Sequence, residues 1–208
     1  MSWLLACVSL LSACRATPVA SSPPTAAEVW AAAAYQALVL SPELNEWVAA
    51  IAPSGDPRTL VVEVTPVSLP SDAPPPREWV PPELWSSIVG SSTDSPSAEL
   101  VAAVQALGLS SLTPESERQL FHTVPPDFAR YAKWQSGWAE FARVHPEAAG
   151  VLGLSPFVTT PDGNTGLAYL QVLVEHNHGQ CGFGGVALLA RDHEEWRVQQ
   201  YDTTWVGY

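Results

Sequence analysis

A chain of 208 residues with a formal net charge of −12 and 47% apolar residues excludes several classes at once. Its charge repels phosphate backbones, so nucleic acid is a poor partner, and it disfavours electrostatic docking on anionic lipid. Its apolar content suffices for a packed core.

Trp3 to Leu11 is apolar except for Ser9. The run is shorter than the roughly 20 residues of a spanning helix and has the length of an export signal's apolar region. It leads into Leu11-Ser12-Ala13-Cys14. This stretch resembles the lipobox of bacterial lipoproteins: an aliphatic residue, two small residues, then cysteine. The resemblance implies that residues 1–13 are a signal peptide cut before Cys14. It also implies that Cys14 is acylated, with palmitate as the test label. The membrane is then a partner through that lipid. Residues 15–24, "RATPVASSPP", read as a tether, because Pro and Ser resist packing. Arg15 stands where an inner-membrane retention signal would place Asp, which leans toward the outer membrane. An ordinary signal peptide ending in Ala-Cys is the alternative. Of three cysteines, Cys7 leaves with the signal and Cys14 carries lipid, so Cys181 alone remains in the mature domain.

Residues 25–208 are expected to form a single domain. Thr25-Ala26-Ala27-Glu28 has the form of a capping box, and Val29, Trp30, Ala33, Ala34, Ala37 and Leu38 follow at helical spacing. Pro42 opens a second helix through Ile51. "TLVVEVTPV", Thr59 to Val67, predicts a strand. From Ser68 to Pro96 the prolines at 70, 74, 75, 76, 81, 82 and 96 predict a long surface excursion, with one anchoring turn at "ELWSSIVG". Ser95-Pro96 opens a helix closed by Gly108, and Thr113-Pro114-Glu115 opens another through about Phe121. In "DFARYAKWQSGWAEFARVHP", Tyr131, Trp134, Trp138, Phe141 and His145 form one aromatic face, ended by Pro146. Such a stripe packs on a sheet more readily than it stacks on sugars.

The last fifth is strand-like. "GLAYLQVLVEH" alternates, with Leu167, Tyr169, Gln171, Leu173 and Glu175 on one side and Ala168, Leu170, Val172, Val174 and His176 on the other. "GGVALLAR" is a second strand; Asp192 to Glu195 makes a polar turn; "EWRVQQYDTTW" is a third, with Trp196, Val198 and Gln200 on one face. Short connections predict an antiparallel meander. Helices first and a meander last predict an α+β fold, with N-terminal and central helices packed on an antiparallel sheet.

Residues 134–206 resemble a family of uncharacterised bacterial exported proteins and lipoproteins. The likeness rests on a W-x-x-F helix in "WAEFARVHPEAAGVLGLS", the alternating strand, a Cys-Gly turn, a Gly-rich second strand, a turn before W-x-V, and the closing Trp of "TTW". It implies fold and export and carries no activity. The family often shows C-G-x-x-C-G in the turn. Here His178 stands near the first cysteine position and only Cys181-Gly182 is kept, so the resemblance implies no disulfide.

The chemistry-bearing stretch is "EHNHGQCGFGG", Glu175 to Gly185. His176, His178 and Cys181 offer three metal ligands as H-x-H-x2-C, with His193 or Asp162 as a fourth. A structural zinc site closes with four ligands, and an open catalytic one needs three. Cys181 with His176 or His178 is a candidate thiol nucleophile and base. The reading adopted is a wide glycine-rich bend, with Gly179, Gly182, Gly184 and Gly185 permitting unusual backbone and Cys181 tucked beneath it. The expected function is therefore a bacterial envelope lipoprotein with a binding or structural role and no cofactor or assigned catalytic site. A Cys–His thiol hydrolase and a small metal-binding protein are the alternatives.

Overall fold

A computed structural model describes residues 25–51, 59–69, 78–89, 95–120, 130–176 and 179–207. Residues 1–24, which hold the expected signal peptide, Cys14 and the expected tether, lie outside the described residues. The fold is α+β, as the sequence predicts. Its helices are α1 (Ala26–Val39), α2 (Pro42–Ile51), α3 (Pro82–Ile88), α4 (Ala98–Leu107), α5 (Pro114–Leu120) and α6 (Arg130–Val144). Its strands are β1 (Leu60–Glu63), β2 (Ser111–Leu112), β3 (Gly150–Leu154), β4 (Val158–Thr159), β5 (Thr165–His176), β6 (Gly179–Asp192) and β7 (Glu195–Gly207). Among the described residues, no helix is long and apolar enough to cross a membrane.

Local chemistry sets the helix ends. Thr25 Oγ1 accepts from the Glu28 amide at 3.3 Å, and the Glu28 carboxylate accepts from the Thr25 amide, so the predicted capping box forms. At α4 the cap is Ser97, whose Oγ accepts from the Leu100 amide at 3.2 Å. Gly108 closes that helix at φ +65°, a conformation that glycine adopts without Cβ strain. Thr113 Oγ1 caps α5 by accepting from the Ser116 amide at 3.2 Å.

The sheet order is β2-β1-β3-β5-β6-β7, with β4 also paired to β5. The meander β5-β6-β7 is antiparallel, as predicted. The rest departs from an all-antiparallel sheet: β1 runs parallel to both β2 and β3. The chain between these strands carries helices, and such crossovers bring strands back in parallel. Strand β3, "GVLGL", sits centrally between β1 and β5. Its shortness and two glycines hid it in the sequence, where it reads as a lead-in to the sheet.

Both faces of the sheet are covered, which is why β5 is nearly all apolar. On the inner face, Tyr35 and Leu38 of α1, Leu44 and Val48 of α2, and Leu100 and Val104 of α4 pack on Val62, Leu152, Leu170, Val172 and Phe183. On the outer face, Trp134, Trp138 and Phe141 of α6 pack on Val61, Val151 and Leu173. The aromatic stripe is therefore core, with ring centroids 4.9 to 5.5 Å apart. The side chain of Tyr131 lies outside the described residues.

The segment predicted as a surface excursion is corrected in part. Leu69, Val80, Leu84 and Ile88 are buried on Leu167, Tyr169, Val186 and Leu188, the remaining half of the outer face. Prolines prevent long elements but not burial. Here Pro81 and Pro82 start the seven-residue α3, whose one apolar side does the covering.

Two bulges in β7 change its predicted faces. Register passes from Leu188↔Gln200 to Leu189↔Val198, and from Gly184↔Trp205 to Gly185↔Thr203. Each leaves one extra residue and reverses the alternation. Trp196, Val198 and Tyr201 consequently contact the inner core, rather than Trp196, Val198 and Gln200, while Trp205 packs with the outer cluster.

Candidate functional site

Strands β5 and β6 stay paired from Thr165↔Ala190 to His176↔Gly179. Gly182, Gly184 and Gly185, expected in a wide bend, therefore lie within β6, and residues 177 and 178 between the paired strands lie outside the described residues. His178 and the side chain of His176 lie outside the described residues. Cys181 is not in a turn: it pairs with Val174 within the sheet and packs, half-buried, against the inner core. Burial pushes its thiol pKa up. A nucleophilic cysteine needs the opposite shift. Iodoacetamide should therefore modify Cys181 slowly at pH 7, with the rate climbing only above the ordinary thiol value of about 8.5. A half-maximal rate near pH 6–7, followed by mass spectrometry, would reinstate the thiol nucleophile.

The proposed fourth metal ligands are elsewhere. His193 lies in the exposed Asp192–Glu195 turn, at the opposite end of β6. From Cys181 to His193 the strand extends about 40 Å, at about 3.3 Å per residue. Asp162 precedes β5 at that same far end, where its carboxylate accepts from Thr160 Oγ1 and the Asn164 amide. Those hydrogen bonds lower its pKa. Among the described residues, no three His, Cys, Asp or Glu side chains cluster for a metal.

The glycines of "CGFGG" have a packing role in strand β6. A Cβ on Gly184 would collide with Trp205 Nε1 and lie 2.6 Å from Tyr169 Oη. In that slot Trp205 Nε1 donates to Tyr169 Oη at 2.8 Å. On the opposite face, a Cβ on Gly185 would collide with Tyr201 Oη. The two glycines thus admit two rings of β7, one on each side of the sheet.

A buried polar row crosses the outer face. Gly153 pairs with Gln171, Gln171 with Gly184, and Gly184 with Trp205. Glu63 is 2% exposed and Gln171 9% exposed. A Cβ on Gly153 would lie 3.0 Å from Glu63 Oε2 and 3.2 Å from Gln171 Cγ, so the carboxylate and amide side chains meet above that glycine. The row separates the α6 cluster from the α3 cluster. Its sequence signals were present: one acid within "LVVEV" and one amide within "YLQVLV". Neither stands out in the sequence, because alternation assigns Gln171 a face without showing that the face is covered.

A cavity of about 290 Å³ opens beside this face, between the C-terminal half of α6, the segment after Pro146 and the end of β5. Trp138, Phe141 and Ala148 form its apolar walls, with the exposed carboxylates of Glu147 and Glu175 at its rim. An adjoining cavity of about 340 Å³ shares Pro146, Glu147 and Ala148 and is lined by His145. Burial lowers the pKa of His145, which stacks on Phe141 at 5.1 Å. Between α1 and α4 lies a third cavity, of about 430 Å³, bordered by Tyr35, Phe157 and Glu99. Tyr35 Oη donates to the Ser155 carbonyl at 2.8 Å there, and burial raises the pKa of this phenol.

No protein family, curated protein or solved structure matches the chain.

Proposed function

We propose that this chain is a lipid-anchored binding protein of the bacterial envelope, held by acylated Cys14 and facing away from the outer membrane on its tether. The observation that carries this reading is the lipobox Leu11-Ser12-Ala13-Cys14, followed by a Pro- and Ser-bearing tether that ends at the Thr25 capping box of α1. Residues 14–24 reach at most about 40 Å when extended, enough to lift a domain clear of lipid headgroups.

Binding is favoured over thiol catalysis by the half-buried Cys181, whose thiol pKa burial raises. Radiolabelled palmitate should enter the full-length chain in a bacterial host and be lost in Cys14→Ser. Wild type that takes up no label refutes the anchor.

A further inference from the structure

Helix α1 is apolar on both of its sides. Its inner side, with Ala34, Tyr35, Leu38 and Val39, is buried in the core. At about 100° per residue, Ala26, Val29, Trp30, Ala33, Ala37 and Leu40 share one outward arc about 20 Å long. Val29 is 51% exposed, Trp30 43% and Leu40 55%. A surface helix ordinarily turns charge to that side. Glu28, the one charged residue of α1, lies off the arc, and its carboxylate accepts from the Thr25 amide. A continuous apolar stripe of this kind marks a contact surface.

The chain outside the described residues identifies the contact. Residues 14–24, the expected tether, end at Thr25, the N-cap of this same helix. A flexible chain of that length averages about 20 Å from end to end. It therefore presents α1 first to the lipid, and at the roughly millimolar effective concentration of a short linker even a weak surface affinity is felt. Trp30 stands at the tethered end of the arc. The Arg191 guanidinium lies 4.1 Å from its ring centroid, and Gly163 flanks the ring. An exposed indole beside a cation suits headgroup depth, with the ring among the glycerols and the cation toward phosphate. Asp192 follows Arg191 and Asp162 precedes Gly163, both exposed, so this end of the domain repels an anionic surface and tolerates a neutral one.

We propose that the outward arc of α1 lies on the zwitterionic surface of the bilayer that carries the Cys14 lipid, with Trp30 at headgroup depth and Arg191 toward the phosphates. The inference rests on the lipid anchor. At full reach the tether clears the headgroups, and at its average span it lets the arc settle on them.

The test uses palmitate-bearing protein in vesicles of phosphatidylcholine brominated on one acyl chain, with unbrominated vesicles as the reference and tryptophan emission as the signal. Among the described side chains, the half-buried Trp79 and Trp85 pack with the α3 cluster and Trp205 with the α6 cluster, all on the outer face. Bromine should therefore quench Trp30, and Trp30→Phe should remove most of the quenching. Leu40→Glu, at the far end of the arc, should reduce it about twofold or more. Phosphatidylglycerol in the vesicles should weaken the contact, and salt should restore it. Quenching that survives Trp30→Phe, or wild type that is not quenched, overturns the proposal. Absent bromine quenching with Trp30 shielded from acrylamide also overturns it, and shows that a protein, such as a second copy, covers the arc instead. Palmitate uptake reports the anchor alone: labelled protein without quenching leaves the anchor standing, whereas a chain that takes up no label overturns both.

Discussion

Replacing Trp134 by Ala should destabilise the protein by about 3–5 kcal/mol, the range for deleting a large buried ring. Trp134 is wholly buried and touches Trp138 and Phe141 at centroid distances of 4.9 and 5.5 Å. It also joins residues from five other elements: Val61, Leu112, Leu120, Val151 and Leu173. Removing it leaves a void that the short strand β2 and the seven-residue α5 cannot close without losing their own contacts. For a chain of this length each kcal/mol shifts the melting temperature by about 2–4 °C, so a fall of about 6–20 °C is expected by circular dichroism. Val144→Ala, on the exposed side of the same helix, is the control and should change stability by less than about 0.5 kcal/mol. A Trp134→Ala melting curve overlapping wild type would mean that α6 does not hold the outer face together.

That helix was among the most legible parts of the chain, because its rings repeat at three and four over fifteen residues. The Thr25 capping box and the Gly108 stop were equally plain, since each is a local event encoded within a few residues. Strand β5 was legible down to the partition of its two faces. The features that escaped are those set by partners distant in sequence. Strand β3 is five residues long and acquires its identity from β1 and β5, one of them nearly ninety residues away. Leu69, Val80, Leu84 and Ile88 sit among prolines and become core only because the outer face of β5 and β6 needs a cover. The bulges of β7 leave no mark in alternation, yet they decide that Tyr201 faces inward and Trp205 outward. The same limit applied to the candidate site. "HNHGQCG" gathered ligand-type residues within a few positions and drew attention, whereas Glu63 and Gln171 lie more than a hundred residues apart and meet only across β3.

The strongest divergence between sequence and structure falls on Gly184, and a single substitution separates the two readings by sign. If Gly184 lay in a solvated bend with an ordinary backbone, Gly184→Ala would be neutral or would stabilise by about 0.4–1 kcal/mol, by stiffening the unfolded chain. In the strand, the new methyl group meets Trp205 Nε1 and Tyr169 Oη. Tyr169 is 1% exposed and held in the outer core, so Trp205, near the end of the last strand, must move. Its hydrogen bond to Tyr169, 2.8 Å in wild type, is then lost. Gly184→Ala should therefore destabilise by about 1–3 kcal/mol, the usual range for overpacking. A double-mutant cycle isolates the cause. With Trp205→Ala already present the slot is empty, so adding Gly184→Ala should cost at least about 1 kcal/mol less than in wild type. Urea midpoints of the four proteins give the coupling. Additive losses would show that the Gly184 clash lies elsewhere, and a stabilised Gly184→Ala would return the glycine run to the bend that its sequence suggests.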